Sequence, residues 1–264
     1  MPPPIFGIVN ITADSFSDGG NYLAPQAAIS HARKLLADGA DVLDVGAAAS
    51  NPDAQTVPWA EEIKRLSPMV EAITDRTKLS IDTFSIATQR WALTQGIGWL
   101  NDIQGFPDPS LYGELAASNA RLVVMHNVAV RGRAERIATD PDTIFDRLFR
   151  FFDDRLNALE AAGIKRDRLV IDPGMGFFLG TNPEVSLTVL RGIAKLKHRY
   201  SLPVLISVSR KSFVRKLASV ETGGSGPATL AAELFAASQG ADFIRTHDVT
   251  ALKHALAVWL ALQT

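Results

Sequence analysis

The chain has 264 residues, 47% of them hydrophobic and 21% charged, with a formal net charge of -1 at pH 7. This is the make-up of a water-soluble globular protein long enough to bury a large core. It offers no bulk charge with which to hold a nucleic acid or a membrane surface. There is no cysteine, which excludes disulfides, thiolate nucleophiles and Cys-ligated zinc and fits a reducing, cytoplasmic setting. The opening Met-Pro-Pro-Pro lacks the basic and apolar regions of a signal peptide. No apolar run reaches the ~18 residues of a membrane span.

In chain order, Ile5 to Ile11 is a short apolar run and reads as a buried strand. The polar, turn-rich stretch from Thr12 to Tyr22 separates it from a helix over Pro25 to Ala37, closed by Gly39. A second strand, Asp41 to Val45, carries Asp44 near its end. Helical spacing of Ile63, Leu66, Val70 and Ile73 marks Trp59 to Ile73. Strand three, Lys78 to Ile81, runs into Asp82 and is followed by a helix over Ala87 to Gln95. Strand four, Gly98 to Leu100, runs into Asn101, and a short helix follows over Ser110 to Ser118. Strand five, Arg121 to Met125, runs into His126 and precedes the longest helix, Pro141 to Ala162. Strand six, Arg168 to Ile171, runs into Asp172 and a glycine-rich turn, then a helix over Pro183 to His198. Strand seven, Pro203 to Val208, ends at Ser209-Arg210-Lys211. A glycine-rich stretch, Gly223 to Gly226, reads as a mobile turn before a helix over Ala228 to Ser238. Strand eight, Asp242 to Ile244, runs into Arg245-Thr246-His247-Asp248, and the last helix covers Ala251 to Leu262.

This alternation predicts parallel strands with right-handed crossovers. Eight strand–helix units in about 250 residues, with no linker dividing them, predict one (β/α)8 TIM-barrel domain over residues 1–264. An open doubly wound sheet is weaker, because no Gly-x-Gly-x-x-Gly turn follows the first strand.

In such a barrel the strand ends share one rim, here carrying Asn10, Asp44, Asp82, Asn101, His126, Asp172, Lys211, Arg245 and His247. Any one of these alone is more simply a cap or turn residue. Polar groups at nearly every strand end are harder to assign to capping. Asp44, Asp82, Asn101 and Asp172 can accept hydrogen bonds from ring N–H and amino groups. Lys211, Arg245 and His247 can bind an anion, so the rim divides into a side for an amino-substituted heterocycle and a side for phosphate. Asn10 with Asp14 and Asp18 could supply oxygen ligands for Mg2+. No cluster has zinc spacing, Ser209 lies in no nucleophile motif, and His31, His198 and His254 fall on helices as surface residues.

At these positions the chain resembles the dihydropteroate synthase family. The resemblance rests on Phe-Gly-Ile-Val-Asn-Ile-Thr-Ala-Asp-Ser-Phe-Ser-Asp-Gly-Gly (6–20), Asp-Val-Gly (44–46), Ile-Asp-Thr (81–83) and Asn-Asp-Ile (101–103). Asp-Pro-Gly-Met-Gly-Phe (172–177), Ser-Arg-Lys-Ser-Phe (209–213) and Arg-Thr-His-Asp-Val (245–249) complete it, in the family's order along essentially the whole chain. The resemblance implies a (β/α)8 barrel, often a homodimer. It implies an enzyme that joins 7,8-dihydropterin-6-ylmethyl pyrophosphate to p-aminobenzoate with Mg2+, without nucleic acid or membrane partners. It implies that Asp82, Asn101, Asp172 and Lys211 hold the pterin, with Asp82, Asp172 and Lys211 as the catalytic set. Asn10, Arg245 and His247 would hold the pyrophosphate and its Mg2+. Ser209 and the loop after strand two, with Ser50, would face p-aminobenzoate, and Asp44, Ile103, Phe177, Phe178 and Arg210 would belong to the substrate-binding set.

Two stretches depart from the family. Ala49-Ser50-Asn51-Pro52 stands where most members have Ser-Thr-Arg-Pro, so Asn51 replaces an arginine that contacts anions. The loop Gly176-Phe-Phe-Leu-Gly-Thr-Asn182 is longer than the usual Gly-Phe-Gly-Lys-Thr by about two residues. Both resemble the sulfonamide-insensitive, Sul-type branch, with Phe178 as the added ring and Phe177 as the common one. The pterin-dependent methyltransferases share the barrel and its acids, and a non-catalytic pterin binder is a further alternative. The 12–20 loop and Ser-Arg-Lys-Ser-Phe favour the synthase over both.

Overall fold

The structure, a computed structural model, describes residues 1–11, 23–129 and 132–263. The described strands are β1 (Ile5–Asn10), β2 (Val42–Gly46), β3 (Leu79–Asp82), β4 (Trp99–Asp102), β5 (Arg121–Met125), β6 (Leu169–Asp172), β7 (Leu205–Ile206) and β8 (Phe243–Thr246). The described helices are α1 (Leu23–Asp38), α2 (Trp59–Ala72), α3 (Ile86–Thr94), α4 (Tyr112–Ala117), α5 (Ile144–Ala161), α6 (Pro183–Arg191), α7 (Ile193–Tyr200), α8 (Ser212–Ala218), α9 (Gly226–Ser238) and α10 (Val249–Ala261). The strands form one parallel eight-stranded sheet in the order β6-β5-β4-β3-β2-β1-β8-β7. The remaining seam is joined by a bridge between Ile171 and Val204, where Ile171 N–H donates to the Pro203 carbonyl at 3.0 Å. The barrel is thereby closed, as the alternation predicts.

The strands are apolar on both faces because both are covered. Inside, Phe6, Val42, Trp99, Val123, Val170 and Leu205, with Phe243 against them, form a plug drawn from seven strands. Phe6, Trp99 and Phe243 meet edge to face, with ring centroids 5.0 to 5.6 Å apart. The Arg121 guanidinium lies 4.3 Å from the centre of Trp99. Each large ring removed from water here contributes roughly 1.5–3 kcal/mol. Outside, Val9, Leu43, Val45, Leu79, Ile81, Leu100, Ile171, Ile206 and Ile244 pack against the helices in a second, larger core.

Three local expectations are corrected. The single helix expected over 183–198 is divided at Gly192, where an added Cβ would lie 2.3 Å from the Phe145 ring. The Ser-Arg-Lys-Ser-Phe stretch opens a further helix, α8, which buries Phe213 and Val214. Residues Thr222–Gly224 form a 3-10 turn that runs through fully buried Ser225 into α9 rather than a loose glycine linker. No helix among the described residues is long and apolar enough to cross a membrane. The polar stretch 12–22, with Asp14 and Asp18, lies outside the described residues.

Candidate active site

Side chains in a strand alternate between faces, so the residue two beyond a plug residue also points into the barrel. Val42 leads to Asp44, Trp99 to Asn101, Val170 to Asp172, Leu205 to Ser207, and Phe243 to Arg245. A polar layer therefore sits directly above the apolar plug, toward the carboxyl ends of the strands.

Its centre is an ion-pair network. Arg245 donates through Nε to the Asp44 carboxylate and through Nη2 to Asp82 Oδ2 at 2.5 Å. Asp44 also accepts from the Ser80 hydroxyl and from Asn101 Nδ2 at 3.1 Å. Asp44 has no exposed surface. Although the sequence groups it with the substrate-binding residues, its oxygens are already engaged and it fixes Arg245 and Asn101 in place. Arg245 is not held apart on an anion side of the rim. It lies among the acids, and the division into two halves inferred from residue types does not hold there. Asn101 is also buried, and its Oδ1 has no partner.

Asp172 is 1% exposed and accepts Gly174 N–H at 2.8 Å. Gly174 has φ +73°, and a Cβ there would lie 2.5 Å from the His126 carbonyl, so the turn requires glycine. Burial pushes the Asp172 carboxyl up to about 6, opposed by the Gly174 N–H, Lys211 and Arg245. Asp82 is pushed up to about 7, again chiefly by burial, with Arg245 opposing. Lys211 is pushed down to about 8 by burial and by Arg245, with Asp172 and Asp82 opposing. For Arg245, burial is outweighed by Asp44, Asp82 and Asp172, which hold the guanidinium firmly charged.

His247 differs from expectation. Burial, with Arg210, Arg245 and Lys211 nearby, pushes it down to about 3. These neighbours favour the neutral imidazole, so an anion that His247 binds meets a ring N–H before a charge. Ser209 Oγ accepts the His247 backbone N–H at 3.2 Å and lies 2.9 Å from Nδ1. The hydroxyl donates to Nδ1 in one tautomer of the neutral ring and accepts from it in the other. Arg210 sits between Ser209 and Lys211 in the left-handed region at φ 57°, its N–H bonded to Thr229 Oγ1 at 3.2 Å.

His126 does not join this layer. Burial pushes its pKa down to about 3, and its Nδ1 lies 3.2 Å from the Pro173 carbonyl, so this nitrogen carries the proton. The ring meets Phe151 edge to face at 5.1 Å and supports the turn after β6 from outside. The other histidines, His31, His198 and His254, are exposed on their helices.

The loop after β6 begins as a 3-10 turn, Gly176–Phe178. Phe178 is 5% exposed and packs with Ile103, Met125 and Ala134, with Phe84 and Phe177 beside them. Lys211 Nζ lies 4.7 Å from the centre of its ring. Phe177 is half-buried, with the Arg136 guanidinium 5.6 Å away. The loop interlocks with the segment after β5: Val128 N–H donates to the Phe178 carbonyl and Thr181 N–H to the Ile137 carbonyl, at 3.0 and 2.9 Å. A Cβ on Gly180, where φ is +128°, would lie 2.2 Å from Thr139 Oγ1. The same segment reaches the loop after β2, where Ala134 N–H donates to the Ser50 carbonyl at 3.0 Å and Arg136 forks onto Asp53 at 2.9 and 2.5 Å. Asn51 is exposed and its Oδ1 accepts the Asp53 N–H at 3.0 Å, as a turn residue.

This joining role of Val128, Ala134, Arg136, Ile137 and Thr139 is not read from the sequence, and neither are Ser80 and Ser207. The alternation through Leu205 could have identified Ser207. Nothing local marks the other contacts.

Asn10 ends β1, exposed at the rim and in register with Gly46. Among the described residues no group of three or more His, Cys, Asp or Glu could hold a metal by itself. A single amide oxygen fits Mg2+, which keeps several waters and takes its remaining ligands from a substrate's phosphates.

The family model for pterin binding enzymes matches residues 6–247. The chain is 56% identical over 260 residues to the type-2 dihydropteroate synthase of Escherichia coli, covering 98% of this chain and 96% of that one. It is 49% identical over 259 residues to the type-3 enzyme of Escherichia coli, covering 98% of each. Among solved structures, that of Xanthomonas albilineans dihydropteroate synthase with 4-aminobenzoic acid superposes with a TM-score of 0.90 at 36% identity, covering 100% of this chain and 94% of that one.

Proposed function

The chain belongs to the pterin-binding enzyme family and is a dihydropteroate synthase, and we propose that its residues divide the work of that reaction as follows. The amine of p-aminobenzoate displaces pyrophosphate from the exocyclic methylene of 7,8-dihydropterin-6-ylmethyl pyrophosphate. A C–O bond breaks, a C–N bond forms, and the amine releases a proton. The pterin ring occupies the space above the apolar plug. Asp82, Asp172 and Asn101 accept from its N–H and amino groups, and Lys211 donates to its acceptors. As the C–O bond breaks, positive charge spreads over the ring, and Asp82 and Asp172 stabilise it. Ile103 and Phe178 border the ring.

Asp44 acts through Arg245 and Asn101 rather than by touching substrate. The 13% of the Arg245 side chain that stays exposed faces the pyrophosphate, with His247 and Asn10. Mg2+, held by Asn10 and phosphate oxygens, would offset the charge of the departing pyrophosphate. Ser50, Ser209, Arg210 and Phe177 border p-aminobenzoate. The observation that carries this reading is the buried network of Asp44, Arg245 and Asp82 closed over a hydrophobic floor. It is a fixed, water-poor set of charges suited to a polar, flat heterocycle.

We further propose that the enzyme is insensitive to sulfonamides. A sulfonamide carries a tetrahedral sulfonyl group and its substituent where p-aminobenzoate has a flat carboxylate. Phe178 and Gly180 are locked against the 127–139 segment, so the loop cannot easily yield to the added bulk. An apolar groove between α6, α8 and α9, with Leu217 56% and Phe235 41% exposed, supports a homodimer through that face.

The deciding experiment is turnover with the pterin pyrophosphate, p-aminobenzoate and Mg2+, titrated with sulfamethoxazole, on the intact enzyme and on a variant lacking Phe178 and Gly180. The intact enzyme should keep turning over at drug levels that stop the shortened one. Equal sensitivity of the two would remove the loop from the explanation. An intact enzyme without turnover would overturn the reaction itself.

A further inference from the structure

β7 presents Val204, Ile206 and Val208 to the helices, where they join the outer core, while Leu205 joins the inner plug. Alternation then turns Ser207 inward, between Leu205 below and Ser209 above, and Ser209 meets His247 on the inner side. Ser207 is 5% exposed, and its hydroxyl has no hydrogen-bond partner among the described residues. Continuing the β7–β8 register, in which Ile206 faces Ile244, sets Ser207 level with Arg245. Leaving a buried hydroxyl unpaired is destabilising, so one retained inside a site is an unmet demand for a ligand. A second orphan atom within the polar layer, among the described residues, is Asn101 Oδ1, on β4.

We propose that Ser207 is a substrate-binding residue that donates a hydrogen bond to the pterin ring. The argument is one of matching donors to acceptors. A dihydropterin carries N–H and amino donors along one part of its edge, and its 4-oxo oxygen and N5 as acceptors on another. Ionised carboxylates can only accept, and in that form Asp82 and Asp172 serve the donors, while Asn101 Oδ1 takes one more. The ring acceptors need protein donors. Lys211, four residues beyond Ser207 along the same wall, is one, and the Ser207 hydroxyl is the second. A hydroxyl can also rotate to suit whichever acceptor it meets. This inference rests on the pterin-site reading above.

The test compares Ser207→Ala with the intact enzyme by calorimetric titration with 6-hydroxymethyl-7,8-dihydropterin, followed by steady-state kinetics in each substrate. The variant should bind the pterin about tenfold more weakly. Its KM should rise for the pterin pyrophosphate and stay unchanged for p-aminobenzoate. Its melting temperature should be equal or higher, because the change removes an unpaired buried hydroxyl. Pterin affinity equal to that of the intact enzyme would overturn the role of Ser207, as would a lowered melting temperature accompanied by equal loss in both substrates. Failure of the intact enzyme to bind the pterin would overturn the pterin-site reading instead.

Discussion

The floor and the rim of the barrel stand on the same strands two residues apart, yet they are opposite surfaces. Phe6, Trp99 and Phe243 meet one another and neighbouring carbon, with the Arg121 guanidinium over Trp99 and Phe243 as the one charged neighbour noted there, so their burial stabilises the fold directly. One step up, Asp44, Asp82, Asn101, Asp172 and Arg245 give up water for one another. Replacing such a network with apolar side chains is often neutral or stabilising, whereas breaking one partner is costly. The floor therefore accounts for the existence of the barrel, and the layer above it accounts for a site. Dry walls below strengthen every charge above them.

The sharpest way to break this comparison is Arg245→Ala, which leaves Asp44 and Asp82 buried without their cation. It should lower unfolding stability by about 3–5 kcal/mol in urea titrations and abolish measurable turnover. Unchanged stability would mean that the acids are held by solvent rather than by Arg245. Phe6→Ala should cost a comparable or slightly smaller amount, about 3–4 kcal/mol. Turnover per folded molecule should be retained, because the ring touches no polar group of the site. A large loss of kcat at full folding would show that the floor shapes the site as well as supporting it.

Glu233 sharpens the contrast from a third environment. It is 1% exposed against the outside of β8, its Oε1 has no partner among the described residues, and burial pushes it up to about 8 from 4.5, with a hydrogen bond from Thr246 opposing. Unlike Asp44, it has no cation. A carboxyl whose folded pKa lies above its unfolded value favours the folded state at low pH. That contribution is lost as pH rises through the folded value. Glu233→Gln should therefore match the intact protein in thermal melts near pH 4.5, and exceed it at pH 9 by on the order of a few kcal/mol. Parallel pH profiles for the two would show that Glu233 finds a partner when ionised.

Much of this was legible in the chain. Eight apolar runs each ending in a polar residue identify the barrel, and Asp82, Asn101, Asp172, Lys211 and Arg245 are drawn from those ends into one layer. His126 is drawn from a strand end too, yet it supports a turn from outside. The difference is register and side-chain direction, which a strand's last residue does not declare. Gly192 sits within an unbroken helical pattern, and only the approach of Phe145 explains the division there. The α8 helix is short and flanked by cations, so its apolar positions, Phe213, Val214 and Leu217, form too brief a stripe to stand out.

Local sterics and hydrophobic period act over a few residues, so the sequence by itself determined the succession of strands and helices, the closed parallel sheet they imply, and the chemical types offered at the rim. Partners, and therefore charge states, depend on which distant groups the closed barrel brings together. Arg245 meets Asp44 across 201 positions and Asp82 across 163. The neutrality of His247, the unavailability of Asp44 and the locking of Phe178 against the 127–139 segment follow from burial and proximity. The first two were decided when the first strand paired with the last, and the third when β5 paired with β6.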